Sequence, residues 1–306
     1  MKHLVCHYCY ILILCAFGGT TANAQDSSSA AASAPATAIN LPSSAAPAPA
    51  TPAPAAPVVM PPTDNAFYLM ARVGVGSTIV QDAALSPLRY LGFAFLSGVE
   101  YRSIKEDRFF SISGDLQQGS LAPSIGNELN TGVISSTIIL PCTALGWRVL
   151  NDEANALRIY VGGTLPSVIH LKIQTAFGNS AIAPDVYLGL GAFARVEKDF
   201  VLFGKGFRAA SRLDLPLVGI AYRPSYSTTT RYPASGLSNP LSLASDIRGV
   251  SLAAFPILSF RNSLEYMLPN GNALALNYDW DFYSYTHFNK VQAARHGISL
   301  AVMFRL

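Results

Sequence analysis

From Phe67 onward, apolar and polar residues alternate with period two over short stretches, the pattern of strands with one face toward an apolar phase. The first stretch sets Phe67, Leu69, Ala71, Val73 and Val75 on one face, against Tyr68, Met70, Arg72, Gly74 and Gly76 on the other. Near 89–102, Leu91, Phe93, Phe95, Val99 and Tyr101 oppose Gly92, Ala94, Gly98, Glu100 and Arg102. Near 108–118, Phe110, Ile112 and Leu116 oppose Ser111, Ser113, Asp115 and Gln117.

The alternation is clearest at the C-terminal end. Leu258, Phe260, Leu264, Tyr266 and Leu268 alternate with Ser259, Arg261, Ser263, Glu265 and Met267. Pro269-Asn270-Gly271-Asn272 then predicts a tight hairpin, with Asn-Gly supplying the positive φ angles of a type I′ turn. The return strand puts Leu274, Leu276, Tyr278, Trp280 and Phe282 on one face and Ala275, Asn277, Asp279 and Asp281 on the other. A soluble sandwich also alternates, but it needs a second sheet to cover so many large apolar side chains.

Twelve strands fit the pattern, near 67–77, 89–102, 108–118, 131–147, 156–163, 167–176, 185–197, 200–209, 212–222, 258–268, 273–283 and 296–306. Ten to fourteen are compatible with it. The expected fold is all-β, a closed antiparallel transmembrane β-barrel over residues 64–306. With both ends at the periplasmic side, the last strand runs inward. The Asn270-Gly271 turn then lies inside, and segments 223–257 and 284–295 lie outside. The weakest of the twelve is 167–176, and Lys205 falls on the lipid face of this register, which marks a local misassignment in 200–209. Aromatic residues near strand ends form the expected girdle: Phe67, Tyr101, Phe109, Trp147 and Phe304 on the periplasmic side, Trp280, Phe282 and Tyr285 on the outer side.

Composition supports a membrane solution. Only 13% of residues are Asp, Glu, Lys or Arg, against roughly 25% in soluble domains, and the mean hydropathy is +0.31. Beyond the first 24 residues no apolar run is long enough for a spanning helix. Lipid forbids unpaired backbone, so a closed barrel is the remaining architecture. A formal net charge of +3, with Lys and Arg scattered, implies no nucleic-acid partner.

Residues 1–24 read as a cleaved signal peptide: Lys2 and His3, an apolar run from Leu4 to Phe17, then Ala22-Asn23-Ala24. Residues 25–63 are rich in Ala and Pro and bare of charge after Asp26, as in a disordered periplasmic linker. Cys6, Cys9 and Cys15 leave with the signal, so Cys142 is the one cysteine of the mature chain, expected as a small buried residue.

The last strand carries the most specific motif. Ile298, Leu300, Val302, Phe304 and Leu306 alternate with Gly297, Ser299, Ala301, Met303 and Arg305. Ser299, Ala301, Phe304 and Leu306 resemble the C-terminal sorting signal of outer-membrane barrels, with Ala301 in place of the usual glycine. The resemblance implies recognition by the barrel-assembly machinery. The segments 211–219, 260–264 and 289–306 resemble uncharacterised outer-membrane barrels of Bacteroidota, over roughly the last hundred residues. That likeness implies fold and an outer-membrane location, with outer-membrane lipid as surroundings, and no activity.

Candidate chemistry is sparse. Inward positions collect Arg72, Glu100, Arg102, Asp115, Arg158, Lys172, Arg195, Arg208, Asp214, Arg261, Glu265, Asp279 and Asp281. They read either as a selectivity ring in a water-filled lumen or as a paired network that plugs it. Ser284, His287, His296 and Ser299 lie near one another in sequence, but without the motif of outer-membrane lipid hydrolases, so no catalytic residue is assigned. His170, inward beside Lys172, reads as a hydrogen-bonded lumen residue; no metal or cofactor is expected. The expected function is a small passive channel or a structural membrane component. The alternatives are a surface-binding protein, which would take an unidentified ligand on segment 223–257 with Tyr222, Tyr226, Arg231 and Tyr232, and, with less support, a lipid hydrolase.

Overall fold

The computed structural model describes residues 65–124, 134–174, 181–223, 246–286 and 289–306. The predicted signal peptide and the Ala/Pro segment lie outside the described residues, as do Tyr226, Arg231, Tyr232 and His287.

Twelve strand segments follow one another: β1 (Ala66–Asp82), β2 (Ser86–Lys105), β3 (Arg108–Pro123), β4 (Ile134–Ile139), β5 (Cys142–Asp152), β6 (Leu157–Gln174), β7 (Ala181–Leu202), β8 (Lys205–Tyr222), β9 (Ile247–Ser251), β10 (Ile257–Met267), β11 (Ala273–Tyr285) and β12 (Val291–Arg305). Each pairs antiparallel with its neighbours. β4 and β5 lie end to end between β3 and β6, and β9 and β10 lie end to end beside β8. The sheet closes through β1 with β12 and β10 with β8, so twelve segments occupy ten barrel positions.

The strand count is therefore redistributed relative to the sequence pattern. The expected strands 156–163 and 167–176 are one strand, β6, because the inward–outward alternation runs in phase through Pro166, which interrupts only the pairing with β7. The expected strands 200–209 and 212–222 merge into β8, and β7 runs on to Leu202. Lys205 is the exposed first residue of β8, next to the turn at Phe203-Gly204, and its charge stays out of lipid at the barrel rim. The expected strand 131–147 breaks at Leu140-Pro141. Within segments 223–257 and 284–295, the described residues include β9, the first residue of β10, the end of β11 and the first residues of β12. β9 and β10 run in the same direction, so the parity of the barrel is unchanged.

Both described chain ends sit at one mouth, where Leu306 N donates to Phe67 O at 2.9 Å. The same mouth carries the short connections 106–107, 153–156, 203–204 and 268–272. The hairpin at Pro269 differs from the type I′ expectation. Gly271 has φ +85°, while Asn270 has no positive φ, and Gly271 N donates to Leu268 O at 2.9 Å. This is a three-residue loop, a type I-like turn begun by Pro269 and closed by a left-handed glycine. Asn270 Oδ1 accepts from Asn272 N at 3.1 Å, which fixes the turn from its own side chain.

The faces follow the alternation. Phe93 is 83% exposed, Leu300 66%, Val75 63% and Leu190 59%, and all point outward. No soluble wall presents such a continuous apolar girdle, and a closed strand ladder is the one β architecture that satisfies its backbone in lipid. The outer surface is thus the lipid-facing belt of a transmembrane barrel. Within the C-terminal motif, Phe304 and Leu306 face outward, and Ser299 and Ala301 are buried in the lumen. Of the predicted girdle, Phe67, Trp147 and Phe304 are exposed and Trp280 stacks on Phe282. Phe109 and Tyr285 depart from it. Both are buried in the lumen, Phe109 against Tyr160 and Phe193, Tyr285 against Phe255.

Candidate functional site: the charged lumen

Inward side chains from all ten positions meet in the lumen. An apolar layer of Tyr68, Met70, Met267, Ala275 and Met303 fills the end that holds the termini. Aromatic and aliphatic side chains including Tyr90, Tyr187, Phe255 and Tyr283 fill the opposite end. Between and among them lie the charges, in three groups.

Nearest the termini, Arg102 joins Glu100 at 3.1 Å and Glu265 at 3.0 Å. Arg195 meets Glu197 at 2.6 Å, and Asp199 is shared by Arg158 and Arg208, each at 2.7 Å. This group holds four cations (Arg102, Arg158, Arg195, Arg208) and four anions (Glu100, Glu197, Asp199, Glu265). In the middle, Arg72 bridges Asp115 at 2.6 Å and Asp279 at 2.7 Å. Arg212 holds Asp214 at 2.6 Å, Arg261 faces Asp115 at 3.6 Å, and Arg295 pairs with Asp281. Again there are four cations (Arg72, Arg212, Arg261, Arg295) and four anions (Asp115, Asp214, Asp279, Asp281). At the far end, Lys172 and Arg223 both contact Asp82 and Asp185. Each group is neutral by itself.

These side chains are no more than 14% exposed. A buried carboxylate or guanidinium survives only when paired, and here pairing reaches across strands far apart in sequence. Two of the arginines also lie over aromatic faces, Arg195 at 5.4 Å from the Phe109 ring centre and Arg212 at 4.8 Å from that of Phe193. Two small pockets among the described lumen residues have cavity volumes of about 20 Å³ each, room for about one water apiece.

Beside the Lys172 group runs a polar chain of defined direction. Tyr283 Oη donates to the Asp185 carboxylate at 2.9 Å, so it accepts from His170 Nδ1. That leaves His170 Nε2 as acceptor for the Ser136 hydroxyl, at 2.6 Å. His170 is fully buried, as a hydrogen-bonded lumen residue. Cys142 is buried too, its Sγ 3.2 Å from Thr164 Oγ1 and 3.6 Å from Arg212 Nη2.

All thirteen charged residues that alternation placed inward point into the lumen. Their partners Asp82, Asp185, Glu197, Asp199, Arg212, Arg223 and Arg295 were not singled out. Parity would have found several of them: Glu197 and Asp185 share the face of Arg195, and Arg212 that of Arg208 and Asp214. Among the described residues, Ser284, His296 and Ser299 do not assemble. Ser284 is buried on the face opposite to Tyr283 and Tyr285, beside Gln292, whereas Ser299 is buried in the lumen and accepts from Asn277 Nδ2 at 3.4 Å. His296 lies on the outer face, 2.9 Å from Tyr278 Oη. Tyr222 ends β8 on the outer face.

No protein-family model and no curated protein matches the chain. Among solved structures, the translocator domain of the autotransporter NalP from Neisseria meningitidis matches at 7% identity with a TM-score of 0.35, covering 76% of this chain and 88% of that one. An outer membrane channel from Pseudomonas putida F1 matches at 8% identity and a TM-score of 0.34, over 80% and 97% of the two chains. The outer membrane protein OprG from Pseudomonas aeruginosa matches at 10% identity and a TM-score of 0.30, over 79% and 97%. Likeness this distant carries no argument about function.

Proposed function

We propose that this protein is a structural component of the bacterial outer membrane, a barrel whose lumen is closed rather than a passive pore. The observation that carries the reading is the charge pairing: ten buried cations and ten buried anions in three neutral groups. A selectivity ring leaves its charges hydrated around an open path, whereas these are spent on one another. The C-terminal Ser299, Ala301, Phe304 and Leu306 support delivery by the barrel-assembly machinery, and the resemblance to Bacteroidota barrels supports the outer-membrane location. A cleaved signal at 1–24 and a linker at 25–63 complete this proposal.

Conductance in planar bilayers tests it. The purified full chain should insert without producing stable conductance steps. Reproducible steps from a homogeneous preparation would return the protein to the passive-channel reading.

A further inference from the structure

The wall is interrupted at four strand contacts along the run of neighbouring positions from β3 to β9/β10. Between β3 and the β4/β5 position the ladder skips from Leu116–Ile139 to Ser113–Cys142, leaving Leu140-Pro141 between. Between β6 and β7 it skips from Thr164–Gly191 to Ser167–Leu188, at Pro166. Between β7 and β8 the register shifts at Leu190/Gly191, where Leu217 is the extra residue beside Pro216. Next to β8 the pairing passes from Asp214–Ser259 to Val218–Ser251, with Pro256 in the gap. Proline withholds a ladder donor, which is why it collects at bulges and breaks.

Over this seam the lipid-facing surface sinks into a groove of about 610 Å³. Ile112, Leu165, Leu188, Leu190, Val218 and Ile220 form its sides, each about half exposed, and no charged residue lines it. Its floor is thin. Gly189 and Gly219 carry no side chain, and the Tyr187 ring packs against them from within, so that a Cβ on Gly219 would stand 2.9 Å from Tyr187 Cε2. On the outer side, Ser167 is too short to fill the space.

We propose that this groove is a binding site for one acyl chain of a membrane phospholipid. The groove is continuous with the lipid-facing belt, so lipid is the phase that reaches it. Within a bilayer the hydrophobic effect gives a chain no reason to prefer protein over its neighbours. A concave apolar surface does, because a void beside it forfeits dispersion contacts that a seated chain restores on several sides at once. The site rests on the reading of the outer wall as lipid-facing, and the experiment separates the two.

In a Trp147→Phe, Trp280→Phe background, a single reporter is introduced as Ile112→Trp at the groove or Leu276→Trp on the smooth wall. Each protein is refolded into phosphatidylcholine vesicles brominated on the acyl chain and then titrated with detergent. Quenching at the groove reporter should persist to a detergent ratio roughly two- to threefold higher than at the smooth-wall reporter. Adding Ser167→Phe, which fills the groove, should abolish the difference. Identical curves for the two reporters overturn the groove site. A groove reporter shielded from brominated lipid in a cross-linkable dimer also overturns it, by naming a second copy as occupant. An unquenched Leu276→Trp would instead overturn the membrane placement itself.

Discussion

Arg102 Nη1 donates to Glu265 Oε1 at 3.0 Å over a sequence separation of 163, joining β2 to β10 across the lumen. The wall already holds these strands at their own places in the ladder, so the pair ties the interior together rather than the neighbours. Glu265 also faces Arg195 at 4.0 Å and Arg208 at 3.9 Å, which makes it the common anion of three guanidinium groups.

Removing that anion leaves three buried cations one partner short. Glu265→Ala should destabilise the folded barrel by about 3–5 kcal/mol, the usual cost of breaking a buried pair from one side. Replacing both ends, as Arg102→Met with Glu265→Leu, should cost less than the sum of the single changes. Urea unfolding in vesicles measures all three variants. Additive losses would mean that the two residues are not coupled.

The directional chain at the other end gives a second expectation. Tyr283→Phe removes the hydroxyl that accepts from His170 and donates to Asp185, leaving the His170 Nδ1–H buried and unsatisfied and Asp185 with Lys172 and Arg223 alone. The loss should be about 1–3 kcal/mol. Ser136→Ala should cost less, since it leaves a single histidine nitrogen without its donor. Thermal melts of the two variants in the same detergent rank them, and a reversed order would contradict the assigned direction of the chain.

Much of this architecture is legible in the sequence because the lipid imposes a strict rule. Every second residue of Leu258–Leu268 and Ile298–Leu306 must suit hydrocarbon, so the two faces declare themselves. The charges Arg72, Asp115 and Asp279 are legible as inward by the same parity. What the pattern does not show is which charges meet, since pairing joins β1 to β3 and β11 through space that the alternation leaves unmeasured. Nor does it show that Pro166 and Pro216 lie inside single strands. A proline reads locally as a boundary, yet where a bulge or gap is shared with the neighbouring strand it can remain within one. Phe109 escapes for a related reason: an aromatic at a strand end suits the headgroup level as well as it suits an arginine inside the barrel.

The terminal residues provide a test in cells. Phe304 and Leu306 are outward and largely exposed, while Ser299 and Ala301 are packed inside, so the first two can be changed with little effect on the lumen. Phe304→Ser combined with deletion of Leu306 should lower the amount of assembled protein in the outer-membrane fraction far more than it lowers unfolding stability in vitro. Equal amounts of variant and wild type in that fraction would remove the proposed role of the motif in assembly.

Orientation is the last expectation, and the two mouths of the barrel make it measurable. One mouth holds Glu106 and Asn270 in short turns beside the termini; the other holds Ala83 in the β1–β2 turn and Lys290 before β12, where Ala83 N donates to Lys290 O at 2.9 Å. The termini, with the uniformly short connections beside them, belong on the periplasmic side, since the chain enters from there during export. In a Cys142→Ala background, Ala83→Cys and Lys290→Cys should react on intact cells with an impermeant thiol reagent. Glu106→Cys and Asn270→Cys should react only after the outer membrane is opened. The ten-position barrel requires the members of each pair to behave alike, because an even number of positions returns the chain to the mouth where it began. Labelling of Asn270→Cys together with Lys290→Cys on intact cells would break that parity, and with it the assignment of β11 as a complete crossing.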